Sequence, residues 1–223
     1  MLNSTFVVIM GAGRCGSTFV MNKLNEVGDT NIFGEDMGST LCLLNLLFRL
    51  NHRTNHIYKH PLINCSTKTV SSELIGRQIS KNSQYLGNEF YHDAQFHNNI
   101  KTCNEKWLLD CFSSTVTGFK EIRWDLFADI YFLNVLNQYY RRVVYVNLTR
   151  DVDQIICSSI RAFNVNKDEK TKQQIRARIL HKQQIIHSFI ESQNPSNVIS
   201  GDITVDCNLI DKINHLVHGS YSS

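Results

Sequence analysis

The sequence predicts an α/β protein built on a doubly wound sheet, mainly parallel, with helices on both faces. Phe6, Val7, Val8, Ile9 and Met10 form an uninterrupted apolar run, the pattern of a strand buried on both sides of a parallel sheet. A glycine-rich turn, Gly11–Gly16, follows at once and opens an amphipathic stretch. Further short apolar runs alternate with helix-period segments, as they do where helices cross between parallel strands.

Taken in order, a helix is expected from about Ser17 to Val27, with Gly28 and Asp29 as its stop and turn. Asn31–Phe33 reads as a short strand leading into Gly34 and Glu35, and residues 39–50 as a leucine-rich helix. Between His52 and Glu105 the pattern is weakest. That stretch holds a candidate helix at Val70–Lys81 and an aromatic group, Tyr85, Phe90, Tyr91 and Phe96. Those rings could wall an acceptor site or form the core of a cap. Lys106–Ser113 closes a helix, Val116–Lys120 is a second buried strand, and Leu126–Tyr140 is apolar at helical spacing. Arg142–Leu148 is a third strand, followed by a helix at Val152–Phe163. Lys167–Gln193 reads as a long amphipathic helix with Ile175, Ile179, Ile186 and Ile190 on one stripe. Pro195 ends it, leaving Asn197–Ser200 as a last strand and Cys207–His218 as a last helix. Neither repeats nor low-complexity linkers interrupt the chain, so residues 1–223 are expected to form one domain, with about 52–112 as a candidate substrate-binding cap.

Composition narrows the functional classes. The net charge of +3, from 23 basic and 20 acidic residues, is too small and dispersed for nucleic acid to be the main partner. The seven cysteines form no CxxC pair and no metal-ligand spacing, which suits reduced thiols, most of them small core residues, and no metal. The first apolar run is too short for a signal peptide, and Leu41–Leu50, broken by Asn45 and Arg49, is too short to span a bilayer. A soluble, cytoplasmic protein without membrane partners is expected, its oligomeric state open.

The turn after the first strand carries the first chemical signal. Gly11, Gly13 and Gly16 let the backbone bring its N–H groups close to an anion, and the helix opened by Ser17 and Thr18 aims positive partial charge at it. The spacing Gly11–Gly16 is that of the nucleotide-triphosphatase loop GxxxxGK[ST], but Ser17 stands where the lysine belongs and Arg14 sits inside the loop. The loop is P-loop-like, without the cation an ATPase uses. Gly11, Gly13 and Gly16 also match GxGxxG, with Glu35 about twenty residues on, so a dinucleotide-binding oxidoreductase using NAD(P) remains an alternative. A nucleotide-binding module without turnover is a third reading.

A second constellation follows the third strand. Arg150 stands at the strand end and Ser158 eight residues later, about two helical turns on, so both can reach one phosphate. Together with the loop, this pattern resembles the sulfotransferase family, closest in style to tyrosylprotein and bacterial carbohydrate sulfotransferases. Those enzymes bind 3′-phosphoadenosine-5′-phosphosulfate with a loop [RK]-x-G-[ST]-[ST], here Arg14-Cys15-Gly16-Ser17-Thr18. They hold its 3′-phosphate with an arginine and a serine eight apart, here Arg150 and Ser158. The resemblance runs in order from residue 5 to about 162 and implies a single sulfotransferase-like domain that needs no metal. It implies Lys120 at the sulfuryl group, Glu35 as general base, and Phe19 at the position of an adenine-stacking aromatic. The implied acceptor is a small molecule, carbohydrate or peptide bearing a hydroxyl or amine.

Two positions depart from the family. Ile122 occupies the place where the phenol- and steroid-type enzymes carry a catalytic histidine, and the tail lacks their Arg-Lys-Gly element. Each candidate also has a plain structural alternative. Arg14 could cap the loop, Glu35 could serve the start of the leucine-rich helix, and Lys120 could pair with Glu121 or Asp151. Phe19 could be a core residue, and Arg123 and Trp124 could line the site or mark a helix boundary.

Overall fold

The computed structural model describes residues 2–35, 38–57, 63–64, 69–70, 94–164 and 168–219. In chain order the strands are β1 (Leu2–Gly11), β2 (Thr30–Phe33), β3 (Ile63–Asn64), β4 (Thr69–Val70), β5 (Val116–Glu121), β6 (Tyr140–Leu148) and β7 (Val198–Gly201). The α-helices are α1 (Ser17–Asn25), α2 (Ser39–Ile57), α3 (Ala94–Cys111), α4 (Val152–Phe163), α5 (Glu169–Ile190) and α6 (Leu209–His218). Two compact units result, residues 1–41 with 112–223, and Cys42–Cys111.

The first unit contains a five-stranded sheet in the order β2-β5-β1-β6-β7, with every pairing parallel. The doubly wound α/β expectation holds. β1 is central, and Phe6 through Met10 are fully buried because both faces of the sheet are covered. On one face Val7 and Ile9 pack with Val20 and Leu24 of α1 and Ile213 and Val217 of α6. On the other, Phe6 meets Phe112, Phe119 and Tyr140, while Tyr145 lies edge-on to Phe189 of α5, 5.0 Å between ring centres. Aliphatic packing thus fills one side, while the other adds these aromatic contacts to an isoleucine cluster of α4 and α5.

Several sequence readings are corrected. Leu126–Tyr140 forms no α-helix; Trp124–Leu126 and Tyr131–Gln138 are 3₁₀ segments. The buried pairs Phe132/Val135 and Leu133/Leu136 are each three apart, and a 3₁₀ turn stacks such positions on one side. Only Cys15 of the six described cysteines is buried, so most of them are not core residues. The expected helix at Val70–Lys81 lies outside the described residues except for Val70, which belongs to β4. Tyr85, Phe90 and Tyr91 also lie outside them, as does most of the candidate cap, and Phe96 falls within α3. The second unit includes the antiparallel pair β3–β4. Among the described residues no helix is long and apolar enough to cross a membrane.

Candidate functional site

The sheet brings three strand ends level. Met10 of β1 pairs with Glu121 of β5 on one side and Asn147 of β6 on the other, and Gly11 pairs with Leu148. The chain leaves β5 on one side of β1 and returns as β6 on the opposite side, so this edge is the switch point where open α/β sheets bind ligands.

The loop from β1 into α1 is wound through the left-handed region, with φ of 88° at Gly13, 57° at Arg14 and 86° at Gly16. Glycine adopts that region freely, whereas an arginine pays about 1–2 kcal/mol for it. At Gly16, the N-cap of α1, an added Cβ would also lie 2.7 Å from Ile203 Cγ2. Contacts on both ends of Arg14 hold its conformation. Its Nε donates to Ser158 Oγ at 3.1 Å, and its carbonyl accepts from Arg150 Nη1 at 3.0 Å. Arg150 is braced in turn, its Nε donating to Gln154 Oε1 at 3.1 Å. Asp151 caps α4 by accepting from Gln154 N at 2.9 Å. The loop and the β6–α4 junction therefore share one hydrogen-bond network.

The other side of the site comes from β2 and β5. Phe33 pairs with Phe119, which sets Glu35 alongside Lys120. Lys120 is 5% exposed; it forms an ion pair with Glu35 and donates to Thr18 Oγ1 at 3.3 Å. Arg123 Nη2 stands 3.6 Å from the second Glu35 oxygen. The partner of Lys120 is thus Glu35, not Glu121 or Asp151. Glu121 instead accepts the backbone N–H groups of Ile122 and Arg123 at 2.7 and 3.0 Å, fixing the turn after β5. α2 begins at Ser39, four residues past Glu35, and carries no acidic residue in its first turn.

Arg14, Gly16, Ser17, Thr18, Glu35, Ile122, Arg150, Ser158 and Phe163 line one cavity of about 460 Å³. Lys120 reaches its lining through Thr18 and Glu35. Cys15 is buried, and burial pushes its thiol above the ordinary range, so it acts as a neutral filler. Phe19 is 51% exposed and outside this lining, so it is not a core residue. Trp124 is fully buried and does not line this cavity, whereas Arg123 faces a neighbouring one. Among the described residues no cluster of metal ligands is present.

Two features escaped the sequence reading. Phe163, at the end of α4, borders the cavity while 70% exposed. Lys182 of α5, 7% exposed, donates to the Ile122 carbonyl at 2.7 Å and pairs with Asp125, which also binds Arg178 at 2.7 Å. Burial lowers the Lys182 pKa against the pull of Asp125. Burial alone would raise the Asp125 carboxyl, yet the Arg178 hydrogen bond and the Lys182 charge hold it below its ordinary range. The signal for Lys182 was its spacing, since it sits three residues past Ile179 and four before Ile186, on the buried stripe.

Neither a scan against protein-family models nor a search of curated proteins gave a match.

Proposed function

We propose that this chain is a sulfotransferase that moves a sulfuryl group from 3′-phosphoadenosine-5′-phosphosulfate to a hydroxyl or amine acceptor. The observation that carries the reading is the convergence of Arg14, Ser17, Thr18, Glu35, Arg150 and Ser158 on one cavity. The donor fits this lining: the cations match its phosphates, and the left-handed glycines allow close backbone approach. The donor's contribution is the activated sulfuryl group. Loop N–H groups and Arg14 would hold the 5′ side, with Arg150 and Ser158 on the 3′-phosphate. The acceptor oxygen bonds to sulfur while the bond from sulfur to the phosphate oxygen breaks, its electron pair staying on that oxygen. Lys120 and Arg14 offset the charge gained there, and Glu35 takes the hydroxyl proton. The free thiols of the described cysteines favour a reducing compartment such as the cytoplasm.

Sheet order weighs against the dinucleotide alternative. In that fold the strand after the first helix lies beside the first strand and delivers an acidic residue to the ribose. Here β5 separates β2 from β1, and Glu35 is engaged by Lys120 from that intervening strand. Calorimetry tests the choice. Adenosine 3′,5′-bisphosphate is expected to bind and raise the Tm, AMP to bind more weakly, and NADH weakest. Tighter binding of NADH than of the bisphosphate would overturn the proposal.

A paired measurement separates the two phosphates. Ser158→Ala is expected to weaken the bisphosphate by about 10- to 150-fold, the worth of a charge-assisted hydrogen bond, and AMP by clearly less, since Ser158 also accepts from Arg14 Nε. Arg150→Ala is expected to weaken both ligands, because Arg150 also holds the Arg14 carbonyl. Equal losses of both ligands in Ser158→Ala would mean that Ser158 only supports the loop.

A further inference from the structure

Next to the proposed phosphate cavity lies a second one of about 380 Å³, at the small end of ligand pockets. Ile155, Ile175, Ile179, Ile122 and Phe163 contribute to its wall. Arg14, Ile122 and Phe163 line both cavities, so a group at their shared edge faces the compartment that holds Glu35. Cations also border the second cavity: Arg14, which donates to Ser158, and three that stand against carboxylates. Lys182 and Arg178 share Asp125, while Arg123 lies between Glu35 and Glu121.

We infer that this cavity takes the acceptor, and that the acceptor is an uncharged alcohol or phenol with a small apolar body. The inference rests on the sulfotransferase reading for the donor side. An anionic acceptor would have to compete with Asp125 for Lys182 and Arg178, with Glu35 and Glu121 for Arg123, and with the donor for Arg14. A sugar would turn several hydroxyls against isoleucine, each giving up water without a partner. An apolar body loses nothing by entering, and its one hydroxyl stays at the edge toward Ile122. There the oxygen forms its bond to sulfur, the donor's bond to the phosphate oxygen breaks with its electron pair, and the proton passes to Glu35.

The test uses the full chain saturated with adenosine 3′,5′-bisphosphate, titrated by calorimetry with 2-naphthol, methyl glucoside and 4-hydroxybenzoate. The expected result is binding of 2-naphthol, with the glucoside and the benzoate at least about tenfold weaker. Ile175→Gln is expected to lower 2-naphthol affinity about tenfold and leave bisphosphate affinity within about twofold. Phe163→Ala, at a side chain too exposed to endanger folding, is expected to weaken 2-naphthol as well. Preference for the glucoside or the benzoate would overturn the inference. So would expulsion of 2-naphthol by the bisphosphate, which would assign the cavity to the nucleotide's own base. A chain that binds the bisphosphate but not 2-naphthol loses this inference alone. One that does not bind the bisphosphate loses the sulfotransferase reading and this inference with it.

Discussion

Glu35→Gln is expected to lower turnover roughly 10²–10⁴-fold while bisphosphate affinity stays within a few-fold of wild type. Glutamine keeps the size of the side chain and can still accept a hydrogen bond from Lys120, but it cannot take up the acceptor's proton. The structure makes this substitution informative, because Glu35 touches two cations and each contact could matter for folding alone. Thermal unfolding therefore accompanies the rate measurement. A drop in rate with a modest Tm change assigns the loss to chemistry, whereas parallel losses assign it to a broken ion pair. Turnover near wild type across the pH range would remove Glu35 from the proposed mechanism. Lys120→Met serves as the contrast, since it removes the cation proposed to stabilise the leaving phosphate and keeps the Glu35 carboxylate, though without its Lys120 partner.

Gly118→Ala is expected to destabilise the fold by more than about 4 kcal/mol, enough to leave little folded protein at 37 °C. Gly118 lies within β5 opposite Val7 of β1. A Cβ there would overlap the Val7 carbonyl oxygen and come within 2.8 Å of its carbon and 2.9 Å of the Val7 nitrogen. Those atoms belong to the central strand's backbone, so no side-chain rotation relieves the clash. Gly28→Ala is the control. Its φ is 56° but nothing stands within 4 Å of the added methyl, so the expected cost is only about 1–2 kcal/mol. Urea titration of the two variants measures the difference. A Gly118→Ala protein with the wild-type midpoint would contradict the register of β1 against β5.

Where the sequence was legible, local pattern and tertiary environment agreed. Phe6–Met10 could only be a doubly covered strand, and the helix expected at Val152–Phe163 has those bounds, with Asp151 as its cap and Asn164, at φ 49°, at its end. The glycines of the loop were legible for the same reason, because left-handed turns demand them. Partners were harder to read. Nothing in the spacing of Glu35 and Lys120 says that β2 docks on β5; that pairing follows from sheet order, which joins residues about ninety positions apart. The 3₁₀ segment at Tyr131–Gln138 was misread because apolar residues three apart fit one turn of either helix. Lys182 was missed because composition alone marks a lysine as a surface residue, while its place on the isoleucine stripe puts it inside.

The central position of β1 has a consequence for how the protein is made. Its neighbours in the sheet, β5 and β6, begin at Val116 and Tyr140, so the most apolar strand waits longest for its partners. At ordinary translation rates, roughly 7–30 s separate the synthesis of Gly11 from that of Leu148. Through that interval FVVIM is an unpaired, uncharged β-prone segment, the kind of stretch that other chains and holdase chaperones bind. Closing it requires long-range parallel pairing, which is entropically slow. The strand that anchors the proposed phosphate loop is therefore also the chain's main aggregation hazard before folding, and its recombinant yield should depend on temperature and chaperone supply more than on the stability of the finished fold.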